Sequence, residues 1–174
     1  NYIIYRYKFK VFPLEKITTD FPIYVLIEPA SVCNLRCPFC FQSDKSFTKK
    51  QYMGLMDMDL FYRVVDECEE NGTGAITLAS RGEPLMHPKI TEMLEFLRGK
   101  FFELKLNTNA TRLNEKMCHA LFENEVNDIV LSVDSEKEDL YEMLRKNAKY
   151  SEVLQNIKML NDIRNKYYSN CNSV

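Results

Sequence analysis

The residues of this chain best suited to chemistry are three cysteines in one short run, Cys33-Asn34-Leu35-Arg36-Cys37-Pro38-Phe39-Cys40, spaced C-x3-C-x2-C. A closed structural zinc site uses four protein ligands, and a four-iron electron-transfer cluster uses four thiolates. Three thiolates leave one coordination position free, which is where substrate or cofactor chemistry takes place. The remaining cysteines, Cys68, Cys118 and Cys171, stand singly and form no second pair at ligand spacing. Cys68 continues a stripe of Phe61, Val64 and Val65 at helical intervals, so it reads as a small core residue. On residue types alone three readings of the triplet stay open. It is an incompletely ligated cluster site, a zinc knuckle completed by a distant His87 or Cys68, or a redox-labile group of thiols.

Something must hold these thiols, and the pattern around them says what. Short apolar runs bounded by Gly, Asn, Asp or Pro predict strands at Ile23 to Glu28, Gly74 to Ala79, Phe102 to Asn107 and Asp128 to Asp134. Helical stripes lie between them: Leu60 to Glu70; Ile90, Met93, Leu94 and Leu97, ended by Gly99; Asn114 to Glu123; and Lys137 to Lys146. Ser151 is expected to cap a fifth helix running to about Lys166, with Leu154, Ile157 and Leu160 or Asn161 on its inner edge. Strand and helix in alternation imply right-handed crossovers and a parallel sheet. The predicted fold class is α/β: a curved parallel sheet with outer helices, a partial barrel of about four strands. Period-two alternation puts Ile23, Val25 and Ile27 on one face of the first strand and Tyr24, Leu26 and Glu28 on the other. In the fourth strand Ile129, Leu131 and Val133 oppose Val130, Ser132 and Asp134. Barrel-type βα folds gather their chemistry at the C-terminal rim, and the cysteine run follows the first strand directly.

The bulk composition excludes several classes. A chain of 174 residues, 45% hydrophobic and 28% charged, has room for one domain with a substantial core. A formal net charge of −2 gives no electrostatic reason for a nucleic-acid or anionic-membrane partner, and Lys49-Lys50 reads as a solvated loop. No apolar run reaches the roughly 18 to 20 residues that span a bilayer. The aromatic opening from Tyr2 to Phe12 is interrupted by Arg6, Lys8 and Lys10, so residues 1–21 read as an amphipathic lead-in and residues 22–174 as the core domain. Six cysteines without a secretion signal argue for a reducing, cytoplasmic compartment.

The C-x3-C-x2-C spacing with Phe39 before the last cysteine resembles the signature of the radical S-adenosylmethionine (SAM) enzymes. That resemblance implies a 4Fe-4S cluster on Cys33, Cys37 and Cys40, with SAM chelating the fourth iron. It implies too that reductive cleavage of SAM yields a 5′-deoxyadenosyl radical, which abstracts hydrogen from a substrate. The cofactors supply the hard chemistry and the protein supplies binding and orientation. Further segments follow in the family's order. Ser80-Arg81-Gly82-Glu83-Pro84 stands where the family has its glycine-glutamate motif, with Arg81 in place of the first of two glycines. By resemblance Glu83 accepts hydrogen bonds from the SAM amino group and Gly82 gives it room, whereas a lone Gly-Glu-Pro is otherwise an exposed turn. Asn107-Thr108-Asn109-Ala110 is similar to the family's threonine-asparagine turn, so Asn109 either meets the cofactor ribose or terminal groups or simply opens a helix. Ser132 at the end of strand four and Arg145 downstream resemble the pair that binds the cofactor carboxylate, a task suited to a planar guanidinium fork. Arg145 is otherwise a surface residue, and Asp134 a cap of the next helix. Phe39 is placed near the adenine, and Tyr24 and Lys105 toward the lumen. His87 and His119 are poor ligand candidates.

The stretches around Glu83, Asn109 and Ser132 look most like the branch whose members often carry a cysteine-rich SPASM extension and include peptide-modifying maturases. The resemblance implies a reductant protein such as flavodoxin or ferredoxin and a substrate that includes a peptide or protein among its candidates. It implies that the chain is the N-terminal part of the catalytic core, in which the cluster can bind while efficient turnover is lost. The competing functions are a non-catalytic zinc- or iron-sulfur-binding module and an activase-type glycyl-radical generator.

Overall fold

The computed structural model describes residues 2–169; Cys171 and the polar end at Val174 lie outside the described residues. The lead-in is a helix, α1 (Tyr2–Glu15), followed by β1 (Tyr24–Ile27). Two short 3-10 turns, Phe41–Ser43 and Lys50–Tyr52, punctuate the long loop to α2 (Met58–Glu70). Then come β2 (Ala75–Leu78), α3 (Ile90–Leu97), β3 (Glu103–Thr108), α4 (Glu115–Glu123), β4 (Asp128–Leu131), α5 (Glu138–Leu144) and α6 (Tyr150–Tyr167). The four strands pair in the order β1-β2-β3-β4, all parallel, in a curved sheet.

The helices form where their caps and stripes agree. Asp57 caps α2 by accepting from the amides of Asp59 and Leu60, and Phe61, Val65 and Cys68 turn inward. Asn114 caps α4 through the Met117 amide. Ile90, Met93, Leu94 and Leu97 of α3 are almost wholly buried. Each contributes about 1.5–3 kcal/mol of apolar burial. Gly99 follows α3 at φ +71°, the left-handed geometry that ends a helix. One sheet face, with Ile27, Ile76, Leu78, Leu104 and Leu106, packs under these helices. The other face is a hollow of about 910 Å³, lined by Tyr24, Leu26, Thr77, Lys105 and Asn107 and by α1.

Helix α1 crosses the N-terminal end of that hollow. Tyr2, Tyr5 and Arg6 all reach the Glu103 carboxylate at the start of β3. A side chain at Gly74 would collide with the Tyr5 ring, so that glycine makes the seat for α1. Tyr24 and Lys105 do face the hollow, where Lys105 pairs with Asp128 at 2.9 Å.

Three sequence expectations need correction. Ser151 lies inside α6, whose N-cap is Lys149. On α6 the expected Leu160 is buried together with Val153 and Ile163, Ile157 packs partly buried against the core, and Leu154 is exposed. The helix starts two residues earlier than a Ser151 cap implies, and its buried face is set by packing against α4 and α5. Strand β4 ends at Leu131, so Ser132 and Asp134 lie in the loop after it.

Candidate functional site

All nine residues singled out from the sequence line one cavity of about 270 Å³ at the C-terminal rim: Cys33, Cys37, Cys40, Phe39, Gly82, Glu83, Asn109, Ser132 and Arg145. They come from the loops after all four strands. The three thiols are free, with Cys37 buried and the other two half-buried.

The cysteine loop is held by its neighbours at every turn. Gly82 packs directly against it: a Cβ there would stand 2.0 Å from the Ala30 carbonyl oxygen and 2.5 Å from that of Val32. The close approach that glycine permits is thus to the cysteine loop's own backbone. The Glu83 amide donates to the Val32 carbonyl (2.9 Å) beside it. Arg81, where the family's first glycine stands, keeps an ordinary backbone, and the left-handed φ of +114° falls on Ser80 instead. The Arg81 side chain forms a bidentate pair with Glu28 at the end of β1, with contacts of 3.0 and 2.7 Å.

Glu83 is 2% exposed. Its Oε1 accepts from Thr108 Oγ1 (2.7 Å) and the Leu85 amide (3.2 Å), and its Oε2 from the Asn109 amide (2.8 Å). Oε2 keeps lone-pair capacity for one more donor. Burial pushes this carboxyl above its ordinary value, against the pull of those donors. Asn109 does more than open a helix. Its Oδ1 accepts from the Thr111 amide and hydroxyl, and its Nδ2 donates to Asn34 Oδ1 (3.0 Å) and to Cys33 Sγ (3.8 Å). The Leu35 amide also reaches Cys33 Sγ, at 3.4 Å. Burial pushes the Cys33 thiol up, and that amide works against it.

Arg145 lines the cavity with one edge of its guanidinium engaged by this chain. Its Nε and Nη2 donate to Asp134, the latter at 3.1 Å, so one edge of the fork faces a carboxylate of this chain. Asp134 caps no helix; Lys137 precedes α5. Nη1 of Arg145 donates to Cys37 Sγ at 3.8 Å, and the guanidinium lies 5.2 Å from the Phe39 ring centroid, a cation–π contact. Burial works against the Arg145 charge, but the hydrogen bond and charge of Asp134 outweigh it and raise its pKa. Ser132 lines the cavity, and its amide donates to the Thr108 carbonyl (2.9 Å).

Gln42 escaped sequence reasoning. It is buried, and its Nε2 donates to the Ser31 and Arg81 carbonyls, both at 2.8 Å, stapling the cysteine loop to the loop after β2. Its Oε1 is buried without a protein partner, in a side chain that lines the cavity. A glutamine two residues past a cysteine carries no local signal of this.

The donor set fits an iron-sulfur cluster. Among the described residues no three of His, Cys, Asp and Glu close round a single ion. A 4Fe-4S cluster takes one thiolate on each ligated iron, so its ligands stand apart. Nitrogen donors on Cys33 and Cys37 are the outer contacts that stabilise thiolate charge. The zinc knuckle loses both proposed fourth ligands. His87 bonds Met56 O through Nε2 (3.0 Å) and the Lys89 amide through Nδ1 (3.1 Å), and Cys68 is buried on α2.

Comparison with known proteins agrees with this geometry. Residues 27–171 match the model of the Radical SAM superfamily. The chain is 33% identical over 112 residues to a tungsten-containing aldehyde ferredoxin oxidoreductase cofactor-modifying protein of Pyrococcus furiosus, covering 64% of this chain and 30% of that one. It is 30% identical over 154 residues to a serine-type anaerobic sulfatase-maturating enzyme of Bacteroides thetaiotaomicron, covering 80% and 36%. The fold is that of Streptococcus suis SuiB, solved with S-adenosylmethionine (TM-score 0.68, 21% identity, 88% and 33% covered) and with its precursor peptide SuiA (TM-score 0.70). The chain thus spans about a third of the length of each of these proteins. With the match running over most of its length and the three cysteines gathered at the rim of a parallel βα sheet, this chain belongs to the radical SAM superfamily.

Proposed function

We propose that Cys33, Cys37 and Cys40 hold a 4Fe-4S cluster, that SAM occupies the rest of the rim cavity, and that the whole protein is a maturase-like radical SAM enzyme. One observation carries this: nine residues chosen by spacing and type, from four separate loops, line a single cavity. When bound, the cluster and SAM supply the radical that takes hydrogen from a substrate. The chain's own residues do the rest. Glu83 offers the open lone pair of Oε2 to an ammonium donor, the free Ser132 hydroxyl meets a polar end of SAM, and Phe39, 58% exposed, offers a ring face to the adenine. Asn109 keeps the cysteine loop in place through its bonds to Asn34 and Cys33.

A peptide or protein substrate is supported by the relatives. The sulfatase-maturating enzyme is named for acting on a protein, and SuiB is solved with a precursor peptide. The SPASM-associated branch and a flavodoxin- or ferredoxin-type reductant belong to the same reading. No helix among the described residues is long and apolar enough to cross a membrane, and the reducing compartment that free thiols require makes the cytoplasm the proposed location. The lead-in, residues 1–21, is proposed as an addition to a core of residues 22–174, since the family match begins at residue 27.

Anaerobic reconstitution with iron and sulfide, then reduction in the presence of SAM, tests the proposal. Release of 5′-deoxyadenosine is expected from the wild type and not from Cys37→Ser. One bound zinc and no 5′-deoxyadenosine would instead favour the non-catalytic module.

A further inference from the structure

Strand β1 is an edge of the sheet among the described residues, paired with β2 alone. The Ile23 and Ile27 carbonyls accept from the Gly74 and Ala79 amides on the β2 side. Alternate residues of a strand send their backbone groups to the same edge, so Leu26, beside Ile27, turns its N–H and C=O outward. They open onto a groove of about 500 Å³ between β1, the start of α2 and the segment 51–56. Its apolar walls include Leu26, Leu55 and Leu60, each 40–48% exposed. Just past β1 the chain already adds an extended segment of its own to this edge. The Ser31 amide donates to the Gly54 carbonyl (3.0 Å) and the Met56 amide to the Pro29 carbonyl (2.8 Å), around an antiparallel bridge between Ala30 and Leu55. That pairing stops where α2 begins at Met58, which leaves the edge of β1 itself bare. Arg81 lines both this groove and the cofactor cavity, so the groove runs into the rim.

From this we infer that the bare edge of β1 is the docking track of the substrate peptide. An extended segment of the peptide adds to β1 as a further strand, bonded through the Leu26 backbone. Its apolar side chains, at every second position, rest on Leu26, Leu55 and Leu60, and the residue to be modified passes Arg81 into the rim. The inference rests on the peptide-substrate reading above and gives it a place and a sequence preference. Unpaired strand groups beside an apolar groove select extended chain, the backbone giving affinity and the alternate side chains specificity. The walls that α2 and the segment 51–56 raise beside the edge favour one such chain over the sheet edge of a second copy.

The test selects a random twelve-residue peptide library, displayed on phage, on the reconstituted protein. The recovered peptides are then synthesised with a fluorophore and titrated by fluorescence polarisation. They are expected to carry apolar residues at every second position and to slow hydrogen exchange of the Leu26 amide when bound. Leu55→Glu and Leu60→Glu, both at exposed side chains, are expected to weaken binding about tenfold. Leu26→Pro removes the outward N–H while sparing the bonds to β2 and is expected to do the same. Cluster absorbance checks that each variant is folded and loaded. Failure to recover any binding peptide, or peptides that bind Leu55→Glu and Leu60→Glu as they bind the wild type, overturns the inference. A wild-type dimer that Leu55→Glu dissolves assigns the edge to a second copy and overturns it as well. Wild-type protein that takes up no cluster overturns the functional reading and this inference with it; loaded protein whose peptides leave Leu26 exchange unchanged overturns the inference alone.

Discussion

Replacing Gly82 with alanine tests the claim that the rim is built as one tight assembly. The new Cβ would sit 2.0 Å from the Ala30 oxygen and 2.5 Å from the Val32 oxygen, against an ordinary contact of at least 3.4 Å. Both neighbours are backbone atoms of the cysteine loop, so no side chain can rotate away; the two loops must part by over 1 Å. Overpacking of this kind costs about 1–3 kcal/mol. Parting the loops also breaks the Glu83 N–H bond to the Val32 carbonyl, worth about 1 kcal/mol. The sum, about 2–4 kcal/mol, lowers the melting temperature of a chain this size by about 5–15 °C. Circular dichroism melting of the anaerobic protein measures it, with iron content after reconstitution as the second readout. Gly54→Ala is the control, since nothing lies within 4 Å of its added Cβ. A Gly82→Ala protein that melts with the wild type and loads iron equally well would refute the packing argument.

Gln42→Leu strands the Ser31 and Arg81 carbonyls and is expected to destabilise the protein by about 2–3 kcal/mol in urea unfolding. Ser80→Gly relieves the strain of φ +114° at an exposed position and is expected to raise the melting temperature by about 2–4 °C. Tyr5→Ala removes the ring seated on Gly74, costs about 3–4 kcal/mol, and is expected to free α1 for rapid amide hydrogen exchange while the sheet stays protected. For Glu83 the raised carboxyl pKa means that the folded state holds its proton more tightly than the unfolded state. Stability from this group is therefore fully present below the ordinary value of 4.5 and falls as pH rises through the higher folded pKa. Urea unfolding across that range should show the downward slope in the wild type and not in Glu83→Gln.

Much of this was legible in the sequence because local signals agreed with the fold. The first three strands and the α2, α3 and α4 stripes were placed to within a residue or two, since apolar periodicity there agrees with turns and with caps such as Asp57 and Asn114, while β4 stops three residues short of the expected Asp134. The site residues were legible as types at motif spacing. What they touch was not. Glu83 and Asn109 were read as facing a cofactor, yet Glu83 also accepts from the Asn109 amide and Asn109 also donates to Asn34 of the cysteine loop. Such contacts span 26 to 75 residues of chain, a distance over which spacing carries no information. Ser151 misled because serine is a good cap by propensity, while the α5–α6 turn, held by the bond from the Tyr150 amide to Glu142, sets the start of α6 at Tyr150.

The central claim, a thiolate-held cluster with one iron left open for SAM, is tested most directly by electron paramagnetic resonance of the reconstituted, reduced protein before and after SAM is added. The account predicts a 4Fe-4S signal whose shape changes on addition, and no such signal in Cys33→Ser, Cys37→Ser or Cys40→Ser. A signal that is indifferent to SAM, or one that survives loss of any of the three thiols, would contradict it.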